Sequence, residues 1–381
     1  MQELQQFARV IIWLDDARWA GDGWWEGWDS QTVNGLTNSQ KILAHWVTYV
    51  ADMRMPARIV WGRGLPVLAK IVADYNAGAP SSGLLKGYQE EPIGSTSTGM
   101  KGPTLKVTNP PLEFTPRYKW QYDQIQRTLE LLDDYGRSLP DFMKSLVQLY
   151  GNAPGALRRL AHALYILTYA NPRDYPKEKA RRILVPDSRT ELEADFQRWD
   201  RSTTKGGQKR LWAALRDYLK HKELRRCLEG TFIWPSQYLD LSQLELPGDI
   251  WNERFTDKLL CSLAEGACIP TRTDGGKPLN SATLARQIYC RIKSNNPSTA
   301  FYPEQLDVSF DFASRMCDKR LCDICVFGKN EAARFCSEPG PGRLCAALLI
   351  TCGYKRACAA ENCPVRSGAG SSLCKSAEAN S

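Results

Sequence analysis

Apolar residues recur along most of this chain at the three- to four-residue spacing of an amphipathic helix. Between Leu36 and Met53, the residues Ile42, Leu43, Trp46, Val47 and Val50 fall on one stripe, with Thr37 or Asn38 placed as the N-cap. Similar stripes run through Ile125–Leu132, Phe142–Leu149, Leu157–Ile166, Leu211–Leu219, Phe255–Leu263 and Leu284–Ile292, the last opening after Asn280-Ser281. Sustained strand alternation is scarce. The pattern predicts an all-α protein.

One breaker-rich stretch interrupts it, from Asn76 to Pro111. It contains Pro80-Ser81-Ser82-Gly83, a Gly/Ser/Thr run from Gly94 to Gly99, and Pro110-Pro111. Such a composition predicts a flexible insertion or linker. The expected organisation is therefore an N-terminal helical part over 1–75, the insertion at 76–111 and a helical domain over 112–310. A Cys-rich region follows at 311–365, with a disordered tail at 366–381.

A chain of 381 residues has room for two or three packing units, and 12 Trp within 43% apolar content supply a core. Met1-Gln2-Glu3-Leu4-Gln5-Gln6 lacks a charged leader, and Ile11-Ile12-Trp13-Leu14 is too short to span a bilayer. A soluble, cytoplasmic, monomeric protein without a membrane partner is expected. The net charge of +8 is concentrated: from Arg158 to Arg226, eighteen Lys and Arg face nine Asp and Glu. A basic middle third in an otherwise near-neutral chain points to a polyanion, nucleic acid above all; the alternative is a solvated helical surface. The three His (His45, His162, His221) form no zinc-hydrolase or deaminase pattern, and no phosphate-cradling glycine loop is present.

The cysteines change the picture most. Nine of the 13 lie between Cys317 and Cys374, opening with Cys317-x4-Cys322-x2-Cys325-x10-Cys336. Thiolates at this density converge on a metal or cluster, so Cys317, Cys322, Cys325 and Cys336 are the expected ligands of an iron–sulfur cluster or Zn²⁺. Cys345 competes with Cys336 for the last place in a zinc set, and Cys352, Cys358 and Cys363 stand ready for a second site or as buried thiols. Near the N-terminus, Trp19, Trp24, Trp25 and Trp28 are interleaved with Gly and Asp without helical periodicity. Such tryptophans line a pocket that stacks a planar base, or else cap the edge of the core.

Further motifs lie in the second half. Thr204-Lys205-Gly206-Gly207-Gln208-Lys209 leads into a predicted helix Arg210–Lys222; a short Leu-spaced helix then runs from Leu239 into Leu246-Pro247-Gly248. After a gap comes Phe310-Asp311-Phe312-Ala313-Ser314-Arg315-Met316-Cys317, continuing through Lys319 and Arg320 to Cys322 and Cys325. In order and kind, these elements over about residues 204 to 336 resemble the helix–hairpin–helix DNA glycosylases of the endonuclease III type.

The resemblance implies a protein that binds double-stranded DNA, flips out a modified base and hydrolyses its N-glycosidic bond. Lys205, Gly206, Gly207, Gln208, Lys209, Pro247 and Gly248 would then meet the DNA backbone through the hairpin. A [4Fe–4S] cluster would occupy the cysteine loop. Trp24, Trp25, Trp28, Gln40 and His45 are the candidates to read or stack the base. The family's catalytic Asp lies at the start of the helix after the hairpin. Here Asp274 matches by chemistry and Asn280 by position, while aligning Pro247-Gly248-Asp249 and Arg254 on a Pro-x-Asp…Arg pattern makes Asp249 the acid. A carboxylate there stabilises the positive charge that builds on the sugar. Asp249-Ile250 replaces the family's second hairpin glycine, and Asn252 and Glu253 stand where bifunctional members carry a Lys. A monofunctional enzyme is therefore expected. Its altered pocket suits hypermodified bases such as bacteriophages carry, which would make it a phage-defence enzyme. The competing expectation is a non-catalytic nucleic-acid-binding protein with a structural zinc site.

Overall fold

The computed structural model describes residues 28–52, 59–90, 95–96, 99–151, 153–182, 189–201, 208–246 and 260–307, together with 4, 5, 7, 8, 11, 12 and 15. These residues are predominantly helical. The chain divides into two compact units, one of residues 23–243 and one joining residues 1–22 to 244–381.

The middle unit opens with a one-turn helix α1 (Gln31–Asn34), then α2 (Asn38–Ala51). Thr37 is the N-cap, and the capping box is complete. Gln40 donates its backbone N–H to Thr37 Oγ1 (3.3 Å) and accepts from the Thr37 backbone N–H at Oε1 (2.8 Å). Every residue from Ile42 to Ala51 is buried, so α2 is enclosed on all sides and forms the central rod. A π turn (Val60–Gly64) feeds α3 (Leu65–Asn76), whose Pro66 sits where a backbone N–H would find no helical partner.

The segment expected as an insertion or linker holds regular elements. Leu84–Tyr88 form a 3₁₀ helix, and β1 (Ser95–Thr96) pairs with β2 (Gly99–Met100). Strand β3 (Leu105–Val107) then pairs antiparallel with β4 (Leu112–Phe114), setting Leu105 opposite Phe114. Leu105, Val107 and Phe114 turn inward against α3 and the π turn. A Cβ on Gly64 would stand 2.9 Å from the Phe114 ring, so the close seat of the hairpin depends on that glycine.

Helices α4 (Lys119–Leu132), α5 (Leu139–Tyr150) and α6 (Ala156–Thr168) pack around α2 and one another. Ser138 caps α5 by accepting from the Asp141 N–H at 3.2 Å. Short α7 (Lys177–Arg181) and α8 (Arg189–Arg201) follow, then α9 (Lys209–Lys220) and α10 (Lys222–Glu229). The predicted helix through Lys222 breaks at His221, whose extended backbone ends α9 and starts α10. The expected Leu-spaced helix from Leu239 is reduced to 3₁₀ turns at Ser236–Tyr238 and Leu241–Gln243.

The other unit packs Leu4, Phe7, Ala8 and Ile11, spaced as one helical stripe, with Leu284, Ile288, Ile292, Phe301 and Leu306. It contains α11 (Cys261–Gly266) and α12 (Ser281–Asn295). Buried Asp15 accepts from Gln305 Nε2 at 3.1 Å, tying the N-terminal segment to the chain beyond α12. Among the described residues no helix is long and apolar enough to cross a membrane.

Candidate functional site

The expected site residues are distributed unevenly over the structure. Cys317, Cys322, Cys325 and Cys336 lie outside the described residues, as do Lys205, Gly206, Gly207, Pro247, Gly248, Asp249, Trp24 and Trp25. Among the described residues no group of three or more His, Cys, Asp or Glu could hold a metal, and Cys227, Cys261, Cys268 and Cys290 are not in disulfides. Of the expected hairpin contacts, Gln208 is buried at the N-cap position of α9 and Lys209 is its first residue.

The two described candidates for the acid belong to one short stretch. Asp274 is exposed at the tip of a tied turn from Thr271 to Leu279. The turn is closed by Thr273 N–H to Lys277 O (2.8 Å), Gly276 N–H to Thr273 O (2.8 Å) and Leu279 N–H to Thr271 O (2.9 Å). The Arg272 guanidinium braces it from the side, donating to Gly276 O at 2.9 Å. Gly276 has a left-handed backbone (φ +74°), which explains a glycine there. Asn280 begins α12, its Oδ1 accepting from the Thr283 N–H at 2.8 Å.

The expected base-reading group separates. Gln40 is spent on the capping box of α2, whereas Trp28 and His45 do meet, ring edge to ring face with centroids 6.5 Å apart. They meet within a closed cluster. His45 is enclosed by Tyr49 (5.0 Å), Tyr218 (5.1 Å) and Trp61 (5.3 Å), and the Trp28 indole N–H donates to Glu223. At its centre lies Asp217 of α9, fully buried, a residue the sequence reading did not single out. The Tyr49 hydroxyl donates to Asp217 Oδ2, the Arg216 Nε and Nη2 each lie 3.2 Å from Oδ1, and His45 Nε2 stands 3.6 Å away.

The protonation pattern follows from these contacts. Burial alone would raise the Asp217 carboxyl, but Arg216, His45 and Tyr49 together hold it below the usual carboxylate range. Burial pushes His45 down against the opposing pull of Asp217, so the imidazole is neutral. Burial, seconded by Asp217, raises the Tyr49 hydroxyl well above its ordinary value. The result is an ionised carboxylate fed by a phenol and a guanidinium, joining α2 to α9. The sequence carries no signal for it: at about 100° per residue Asp217 falls away from the Leu211, Leu215 and Tyr218 stripe, and it is enclosed only because every residue from Arg210 to Leu219 is buried.

The basic middle third is also resolved into contacts. Arg159 grips Glu193 with two hydrogen bonds, Nη2 to Oε1 at 2.7 Å and Nε to Oε2 at 3.1 Å. Arg158 donates to Asp200 (Nε, 2.7 Å), Lys179 pairs with Asp195 (3.1 Å) and Arg182 with Glu191 (3.8 Å). Arg210 is buried between the Trp120 and Tyr169 rings, at 4.9 and 5.2 Å, and donates to Val50 O. Much of the positive charge is thus satisfied internally by acids of α8 or by aromatic faces. No family model, curated protein or solved structure matches the chain.

Proposed function

We propose that the protein is a helix–hairpin–helix type DNA glycosylase, a cytoplasmic monomer that binds double-stranded DNA and hydrolyses the N-glycosidic bond of a modified base. The observation that carries this reading is the placement of Asp274. Its carboxylate is exposed at the tip of a hydrogen-bonded turn, six residues before the capped start of α12. An acid that must approach the sugar C1′ of a flipped nucleotide needs both exposure and a fixed backbone, and this turn offers both. Cysteines 317, 322, 325 and 336 would hold an iron–sulfur cluster or Zn²⁺ as scaffold, on the strength of their spacing.

The test is release of free base, read by mass spectrometry, from unmodified DNA and from phage DNAs with modified bases. Release from one class, lost in Asp274→Asn with DNA affinity intact, is the expected result. Wild-type rates in that variant would remove Asp274 from the chemistry, and no release from any DNA by the wild-type chain would refute the enzyme.

A second reading is favoured by one specific observation. Asn280 is fully employed as a helix cap, and the Thr271–Leu279 turn closes through its own hydrogen bonds. Both are complete as structural features of a non-catalytic nucleic-acid-binding protein with a zinc site. Salt-sensitive DNA binding without base release selects that reading.

A further inference from the structure

Helix α8 is fastened to its neighbours in an unusual way. Four of its acids, Glu191, Glu193, Asp195 and Asp200, reach cations on or at the end of α6 and α7: Arg182, Arg159, Lys179 and Arg158 respectively. The Arg159–Glu193 pair is bidentate, the fork that guanidinium offers equally to a carboxylate or a phosphate. Arg159 holds the Glu193 carboxyl below its ordinary range against the upward push of burial, and Lys179 and Arg198 do the same for Asp195.

Beneath this charge layer the packing leaves polar atoms unmet. Phe196 and Trp199 pack against His162 of α6, whose ring lies 5.8 Å from Phe196 and 5.3 Å from Trp199. Among the described residues neither nitrogen of the fully buried His162 finds a hydrogen-bond partner, nor does the Trp199 indole N–H. A helix meant only to seal the core leaves fewer buried donors unsatisfied. Beside the packing of Phe196 and Trp199, its hold draws on ion pairs, which salt and competing anions weaken.

We propose that the α6–α7 face carrying Arg158, Arg159, Lys179 and Arg182 is a docking surface for the phosphate backbone of duplex DNA, and that α8 occupies it as an internal stand-in whose carboxylates take the place of phosphates. Backbone binding displaces α8 and transfers its four cations to the DNA. The inference rests on the DNA-binding part of the proposed function and is independent of base removal.

The experiment uses the full chain and a short unmodified duplex, with binding followed by fluorescence anisotropy across a salt series. Glu193→Gln with Asp200→Asn loosens α8, while Glu113→Gln with Asp141→Asn alters net charge equally at exposed positions on β4 and α5. Each pair holds α8 down by a factor of about three, so the first double variant should bind about tenfold more tightly than the charge-matched control. Arg158→Gln with Arg159→Gln should bind more weakly than wild type. Its plot of log affinity against log salt should be shallower by about 2, since each lost phosphate contact removes about 0.9.

The wild-type chain supplies a readout that needs no variant. Burial pushes the His162 imidazole down to about 4, against the pull of Asp195, Asp200 and Glu193. Lifting α8 admits water, so saturating duplex should return its NMR titration toward the ordinary histidine range, about 6.5. Equal affinity of the loosened variant and its control, or a His162 titration unmoved by DNA, would overturn the proposal. Tighter binding without base release leaves it standing while the glycosylase reading falls; base release with affinity equal to the control does the reverse.

Discussion

Acidification should destabilise the middle unit through His162, and the size of the effect can be worked out. The imidazole is fully buried against Phe196 and Trp199 and, among the described residues, has no hydrogen-bond partner to hold a proton. Burial, opposed by the charges of Asp195, Asp200 and Glu193, brings its pKa to about 4. In the unfolded chain the same group takes up a proton near pH 6.5. Between those values the unfolded state binds more protons than the native one. The stability contribution is therefore complete above about pH 6.5 and is lost as pH falls toward 4. At about 1.4 kcal/mol per pH unit across that window, the loss is about 3 kcal/mol. Urea unfolding followed by tryptophan fluorescence, near pH 7 and near pH 4, measures it in wild type and in His162→Leu. Leucine has a similar volume and no charge, so near pH 7 the variant should lie within about 1.5 kcal/mol of wild type. At the acid end wild type should have lost about 3 kcal/mol more than the variant. Parallel losses in the two proteins would show that His162 is hydrated or paired in the native state, and the packing of α8 over it would have to be abandoned.

Three further outcomes test other parts of the structure. Asp217→Asn removes the ionised carboxylate on which Tyr49, Arg216 and His45 converge in a fully buried cluster; a loss of about 3–5 kcal/mol by thermal or urea unfolding is expected, and a change below about 1 kcal/mol would contradict the cluster. Gly102→Ala places a Cβ 2.4 Å from the Pro116 carbonyl oxygen, so the β3–β4 region must shift at a cost of about 1–3 kcal/mol; an unchanged melting temperature would show that the backbone there is not held. Purified protein should carry iron or zinc by elemental analysis, and Cys322→Ser with Cys325→Ser should lose it; equal metal content in both proteins would remove these cysteines as ligands.

The helical class and several helix starts were legible in the sequence because they depend on local periodicity. The stripe Ile42, Leu43, Trp46, Val47, Val50 became α2, and of its two expected caps, Thr37 or Asn38, Thr37 is the one used, with Gln40 completing the box. Asn280 likewise caps α12, as an Asn before an apolar stripe should. The short strands in and just after the 76–111 stretch, expected as a flexible insertion or linker, were not legible, because β3 and β4 are three residues each, too short for alternation to stand out against Pro and Gly. The break at His221 was also invisible, since nothing in the neighbouring residues forbids a continuous helix there.

Charge shows the division most clearly. Sequence fixes how many cations stand between Arg158 and Arg226, and a polyanion surface is the expectation drawn from that count. Only the folded chain brings Glu193 and Asp200 of α8 onto Arg159 and Arg158, some 34 and 42 positions earlier, and so decides which cations are already answered. The same holds for Asp217, which meets Tyr49 across 168 positions and His45 across the same helix pair. Helical periodicity is a short-range property written into a dozen residues. Burial and pairing of a charge depend on which distant segment the chain brings alongside, and that is settled by the packing of the whole unit.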